Sequence, residues 1–244
     1  MDFFTSIWNA IASFFQAIGD KVYETLIYKE RYMYIVDGLW ATIRITIVAA
    51  IIGIVIGTVI ALIKVSAMNN RKLRPLEFIA NIYLTVIRGT PMVVQLFIIY
   101  YVVLSVANVE RLTAAMISFG INSGAYVAEL IRTGILSVDK GQLEAGRSLG
   151  LNNRTTMIKI VFPQALKNIL PALGNEFIVL LKETSVAGFI GVQDLSKAGD
   201  IIRSQTQEAF VPLIAVAVIY LIIVMGLTRL LTMFERRLRK SDIR

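Results

Sequence analysis

Four stretches of the chain are apolar for about the length a bilayer demands. Residues 41–63 carry one charge, Arg44, near one end, and residues 89–109 carry none. Residues 112–128 are uncharged and continue through Glu129 to Leu136, and residues 211–228 are uncharged and stop against Arg229. A hydrocarbon core of ~30 Å takes ~20 helical residues, so each stretch predicts a spanning helix. A further span, about 169–192 and fourth in chain order, is more polar: Glu176, Lys182 and Glu183 interrupt the apolar runs 177–181 and 186–192. Ionisable residues inside a span point to function. The pattern predicts an all-α membrane protein of about five transmembrane helices.

The first 36 residues form a separate unit, and 37–244 the membrane domain. Phe3, Phe4, Ile7, Ile11, Phe14, Phe15, Ile18 and Val22 recur at helical spacing, with Trp8 beside them. Polar residues interrupt the stretch too often for comfortable insertion. It predicts an amphipathic helix lying on the outer membrane face, with a sixth span as the rival. There is no long internal repeat, low-complexity tract or linker. The start, Met1-Asp2-Phe3-Phe4, lacks a positive leading segment, so no cleavable signal peptide is expected.

Charge then orients the spans. Of 25 Lys and Arg residues, sixteen fall in the segments on one side (64–74, 132–167 and 229–244) and seven on the other, with Arg44 and Arg88 in or beside spans. The positive-inside rule puts the N-terminus outside and the C-terminus in the cytoplasm. Composition agrees with the membrane reading: 56% hydrophobic residues, 17% charged and a mean hydropathy of +0.69, against ~25% charged in soluble domains. The net charge of +8 therefore marks cytoplasmic segments, and no nucleic-acid partner is expected. With no Cys and no His, disulfides, thiol nucleophiles, imidazole metal sites and the Ser-His-Asp triad are excluded.

The longest cytoplasmic segment carries the most specific signal. It reads Glu144-Ala145-Gly146-Arg147-Ser148-Leu149-Gly150, nine residues, then Ile160-Val161-Phe162-Pro163. Residues 142–149 suit a short helix, Gly150 a left-handed stop, and Asn152 or Asn153 a cap for a second helix. The resulting knob could enter a partner's groove, or pack only on its own membrane domain. The segment resembles the EAA loop of ATP-binding-cassette importer permeases, with Gly146 where the second Ala belongs and Phe162 where Leu belongs. Further stretches are similar to the branch that carries polar amino acids: Arg88-Gly89-Thr90-Pro91 followed by Val93-Val94-Gln95-Leu96, Ser123-Gly124-Ala125-Tyr126-Val127-Ala128-Glu129, Lys182-Glu183-Thr184-Ser185, and the ending Phe234-Glu235-Arg236-Arg237-Leu238. The resemblance runs from about residue 37 to 240.

That resemblance implies a type I importer permease fold, with Glu144, Ala145, Gly150, Ile160 and Pro163 coupling to an ATPase. It implies two permeases side by side, two copies of an ABC ATPase subunit beneath, and an extracellular solute-binding protein that delivers the amino acid. A homodimer is expected, with a heterodimer open. The chain has no G-x-x-x-x-G-K-[ST], so ATP binds the partner and this chain needs no cofactor and no metal. A channel would need a filter and no coupling loop, a membrane enzyme a catalytic set, and a secondary transporter more spans and a repeat.

Polar residues within the spans are the candidates for substrate contact. Arg88 precedes a helix break at Gly89-Thr90-Pro91, where unwound backbone could offer hydrogen-bonding groups. Its structural alternative is a headgroup or a carboxylate such as Glu129. Asn122, Tyr126 and Glu129 share one helical face, and Ser123 neighbours them. Thr90, Gln95, Asn122, Ser123, Asn175 and Glu176 are the substrate candidates, against interhelical packing worth ~0.6 kcal/mol per bond. Arg88, Glu129 and Lys182 are expected to be structural. Relatives that resemble cationic amino-acid permeases carry Glu where others carry Gln at position 176, and Lys182, at i+6, lies on another face of the helix. An unpaired Glu176 predicts a basic or polar substrate such as arginine, lysine or histidine, with glutamine, glutamate or cystine as alternatives. Gly53 and Gly57 form a GxxxG whose partner helix the sequence does not reveal.

Overall fold

The computed structural model describes residues 2–68 and 70–239, all helix and connecting turns. The ten α-helices described are α1 (Asp2–Val22), α2 (Tyr32–Ala67), α3 (Arg74–Gly89), α4 (Met92–Ile98), α5 (Arg111–Leu136), α6 (Lys140–Ser148), α7 (Asn153–Thr156), α8 (Phe162–Glu183), α9 (Leu195–Thr206) and α10 (Phe210–Arg239). Among the described residues, α2, α5 and α10 are each long and apolar enough to cross a membrane. A bent pair, Arg71–Gly89 with Met92–Val103, turned by 112°, meets the same length and hydropathy when its two helices are taken together. Helix α8, at 22 residues, has the ~33 Å reach of a span but carries Glu176, Lys182 and Glu183.

Two spans differ from their expected limits. The second does not run straight from 89 to 109: α3 supplies its first half, and the axis breaks at Gly89-Thr90-Pro91. Arg74, Glu77 and Arg88 hid α3 from a search for uncharged runs. The fourth begins earlier than 169, because α7 continues through a π-helical turn, Met157–Val161, into α8. It ends at Glu183, and Thr184–Ile190 tighten into a 3₁₀ segment that Gly191 stops at φ +80°. Helix α9 lies outside the expected spans; its Lys197, Asp200 and Arg203 pair with one another along one face.

Helix α5 is the axis of the bundle and the most buried of the spans. It meets α2 along a seam of small residues in which each helix presents glycine to the other. A Cβ on Gly57 would stand 2.5 Å from Val127 Cγ1, and one on Gly120 2.6 Å from Ile52 Cβ. The GxxxG of Gly53 and Gly57 is thus spent inside the chain, where it brings two backbones close enough for dispersion contacts that lipid tails do not match. Ile45, Ala49, Leu96, Ala115, Phe119 and Leu180 form the main core cluster. A second cluster joins Ala61, Val127, Ile131, Ala165 and Ile169 towards the α6–α7 end. Helix α10 leaves Leu213, Ile214, Leu221, Ile222 and Met225 exposed, as a lipid-facing helix does.

Helix α9 is fixed at the opposite end of the bundle. Asp194 caps it by accepting from the amides of Ser196 (3.0 Å) and Lys197 (3.2 Å), and Leu195 N donates to Thr42 Oγ1 at 3.1 Å. Only glycine fits at position 38, where a Cβ would lie 2.7 Å from Asp194 O. Burial pushes the Asp194 carboxyl up to about 6. The N-terminal α1 is helical as expected, with Ile7, Trp8, Phe15, Ile18 and Val22 exposed; the side chains of Phe3, Phe4, Ile11 and Phe14 lie outside the described ones, as do residues 240–244. Its last turn touches the body through Lys21 Nζ, 3.4 Å from Glu208 Oε2.

Candidate functional site

The break between α3 and α4 has a chemical cause. In a continuous helix the Ile87 carbonyl would accept from the amide of residue 91, and Pro91 has none. The Gln95 side chain takes that place: Nε2 donates to Ile87 O at 2.7 Å and also reaches Thr90 O (3.0 Å) and Thr90 Oγ1 (2.8 Å). Thr90 Oγ1 itself donates to Val86 O at 2.8 Å. Gln95 Oε1 then accepts from Asn122 Nδ2 at 2.9 Å, tying the break to the buried middle of α5. Thr90, Gln95 and Asn122 are therefore one network whose bonds hold the kink.

One helical step away, Ser123 Oγ donates to Glu176 Oε1 at 3.0 Å, joining α5 to α8. Ser123 is buried and Glu176 half-buried. Among the described residues no cation lies within 4 Å of Glu176, so Lys182 does not neutralise it. Lys182 is exposed near the last turn of α8, and Asn175 is exposed beside Glu176. This second pair offers a free carboxylate oxygen next to a buried hydroxyl, a combination suited to an ammonium or guanidinium.

Arg88 and Glu129 line one cavity without pairing. Glu129 is gripped by Arg132, whose Nε donates to Oε2 at 3.0 Å and whose NH2 contacts Oε1. Arg88 instead lies over the Tyr126 ring, 5.6 Å from its centroid, a cation–π contact. The sequence reading overlooked Arg132, although Glu129-x-x-Arg132 at i, i+3 is a standard pairing distance. It also overlooked Tyr83, whose hydroxyl donates to Ile121 O at 2.6 Å and pins α3 across α5.

The loop between α5 and α8 folds as two short helices at a sharp turn. Asp139 caps α6 through Gly141 N (2.7 Å), Gly150 turns the chain at φ +78°, and Asn152 caps α7 through Thr155 N (2.8 Å). Gly146 is explained by its neighbour: a Cβ there would stand 2.4 Å from Cγ2 of the buried Thr156. Thr156 fills the space that the second Ala of the motif would use, so the two helices interlock. Glu144, Ala145 and Gly150 are exposed on the knob, Leu149 is 78% exposed beyond them, and Ile160 and Pro163 follow where α7 runs into α8. Leu149 gives the knob an exposed apolar tip. Among the described residues there is no group of three or more His, Cys, Asp or Glu that could hold a metal.

Comparison with known proteins converges on one group. Residues 53–240 match the family model described as binding-protein-dependent transport system inner membrane component. A permease protein assigned to a glutamine transport system in Rickettsia bellii (strain RML369-C) is 39% identical over 220 residues, covering 89% of this chain and 99% of that protein. The arginine transport system permease protein ArtQ of Bacillus subtilis (strain 168) is 38% identical over 86% of this chain and 94% of its own. The crystal structure of an amino acid ABC transporter with histidines superposes with a TM-score of 0.80 at 44% identity, covering 87% of this chain and 97% of that one.

Proposed function

The chain belongs to the family of binding-protein-dependent transport system inner membrane components, as the multi-pass permease subunit of an amino-acid ABC importer, and we propose that it carries a basic amino acid past Glu176. The observation that carries this reading is the half-buried Glu176 carboxylate, bonded to Ser123 and without a cationic partner among the described residues. A carboxylate ~4 Å from an ammonium or guanidinium attracts it by ~4 kcal/mol at an effective dielectric of 20, and repels an acidic side chain by as much. Asn175 and Thr90, both exposed, add polar contacts for the substrate, while the buried Gln95 and Asn122 hold the kink beside them. The arginine-transport relative and the histidine-containing structure agree in substrate chemistry; the glutamine-transport relative supports the second choice.

Energy enters through the α6–α7 knob. A partner ATPase, two copies per transporter, receives Glu144, Ala145, Gly150 and Leu149, and its closure moves α5 and α8 between inward- and outward-facing states. Two copies of this permease form the pore, and an extracellular binding protein delivers the amino acid to the α9 end. The sixteen-to-seven bias of basic residues puts the knob and the C-terminus in the cytoplasm and the N-terminus outside. Helix α1 then lies in the outer interface, with Trp8, Phe15 and Ile18 in the acyl region.

Competition uptake into proteoliposomes holding the complete transporter tests the substrate. Arginine, lysine or histidine should compete best, and Glu176→Gln should lower arginine uptake at least tenfold while sparing glutamine. Dominant uptake of glutamate or glutamine by the wild type, or undiminished arginine uptake by the variant, overturns the proposal.

A further inference from the structure

A cavity of about 400 Å³ opens between α2, α3 and α5, lined by Lys64, Asn81, Leu84, Thr85, Arg88, Glu129 and Arg132. The transport path described above uses none of its cations. Three basic side chains face one carboxylate there, and Arg132 already holds that carboxylate on both oxygens. Among the described residues neither Lys64 nor Arg88 has an acidic partner within 4 Å; the contact found for Arg88 is the Tyr126 ring. Three cations around one carboxylate leave net positive charge in the cavity, which an anion would balance. Asn81 and Thr85 add exposed polar groups on the same wall.

The position and the surroundings of the cavity narrow the anion. Lys64 stands three residues before the end of α2 and Arg132 four before the end of α5, ~5 Å from the α6–α7 end of the bundle at 1.5 Å per residue. Both thus stand within about one turn of the ends of their helices, where basic side chains of membrane proteins reach towards lipid headgroups. Asn81, Leu84, Thr85 and Arg88 recur at i, i+3, i+4 and i+7, one face of α3. The adjoining face carries Phe78 (67% exposed), Ile79 (62% exposed), Ile82 and Val86, an apolar track that leads from the cavity.

We propose that this cavity is a binding site for the phosphate of an anionic phospholipid, held by Lys64, Arg88 and Arg132 with its acyl chains along Phe78, Ile79 and Ile82 of α3. The shared chemistry is a phosphate ester, and the acyl track commits the source to a lipid rather than a soluble phosphate. The site is independent of the substrate assigned to Glu176.

Native mass spectrometry of the delipidated transporter, titrated with phosphatidylglycerol or phosphatidylcholine, tests the proposal. Phosphatidylglycerol should be retained at least tenfold more than phosphatidylcholine. Lys64→Gln and, separately, Thr85→Glu should each cut that preference at least fivefold, in complexes whose thermal midpoint matches the wild type. If Lys64→Gln does not fold, Thr85→Glu alone carries the test, since Thr85 is exposed and in none of the hydrogen bonds described. Equal retention of the two lipids, an unchanged preference in Thr85→Glu, displacement of the lipid by free arginine, or glycerol phosphate binding as well as the whole lipid would each overturn it.

Discussion

Gln95→Leu is the sharpest probe of the kink. The substitution keeps the side-chain bulk and removes both the donor that serves Ile87 O and the acceptor that serves Asn122 Nδ2. Asn122 is 4% exposed and Ile87 half-buried, so water has little access to the orphaned amide and only partial access to the orphaned carbonyl. Each buried unsatisfied group costs roughly 1–3 kcal/mol, so the pair is expected to cost about 2–5 kcal/mol. For a chain of this size, ~1 kcal/mol moves the midpoint by ~2–4 °C, and Gln95→Leu should lower it by roughly 4–20 °C. The assay is thermal unfolding of the detergent-solubilised transporter followed by intrinsic fluorescence. Adding Asn122→Leu to Gln95→Leu should recover part of the loss, because replacing both partners of a buried bond by apolar groups is nearly neutral. The Ile87 carbonyl would stay unpaired, so recovery should be incomplete. A fall below ~2 °C in Gln95→Leu, or a double variant less stable than the single, refutes the account of Pro91 and Gln95 as the makers of the bend.

Three further outcomes follow from close contacts and burial. Gly146→Ala should destabilise the α6–α7 knob by about 1–3 kcal/mol and reduce uptake per ATP hydrolysed; adding Thr156→Ser, which deletes the methyl 2.4 Å from the new Cβ but leaves the hydroxyl at 2.9 Å, should restore part of both, as measured by coupled uptake and ATPase assays. Gly57→Ala should force α2 away from α5, since its Cβ would meet Val127 Cγ1 at 2.5 Å and Ala128 N at 2.8 Å, and a midpoint unchanged within ~1 °C would contradict that seam. The Asp194 carboxyl, raised by burial from an ordinary 3.8 to about 6, binds its proton more tightly in the folded state. Stability is therefore fullest below pH 3.8, falls as pH rises towards 6, and levels off above; Asp194→Asn keeps the helix cap and should remove this slope in a pH series of thermal midpoints.

What the sequence determined by itself was whatever depends on runs and local spacing. Uncharged stretches located α2, α5 and α10, because an apolar run long enough to span has few other uses. The spacing from Glu144 to Pro163 identified the knob, and Gly150 and Asn152 marked its turn and cap, because caps and left-handed stops are decided within a few residues. Tertiary structure alone decided the rest. Gln95 reads as one more polar residue in a span until the fold sets its amide against the carbonyl that Pro91 leaves unpaired. Gly146 reads as a small departure from a motif until Thr156, ten residues on, is seen to occupy the missing methyl's place. The GxxxG of α2 has no partner in the sequence; the reciprocal glycines of α5 supply it. Arg88 and Glu129 pair plausibly by charge, yet Arg132 sits one helical turn from Glu129 and reaches it first. The glycine seam and the Gln95–Asn122 bond rest on which side chain meets which across separate helices, and side-chain periodicity along one helix cannot encode the contents of the helix it faces; the Glu129–Arg132 pair, three residues apart on α5, was within reach of the sequence.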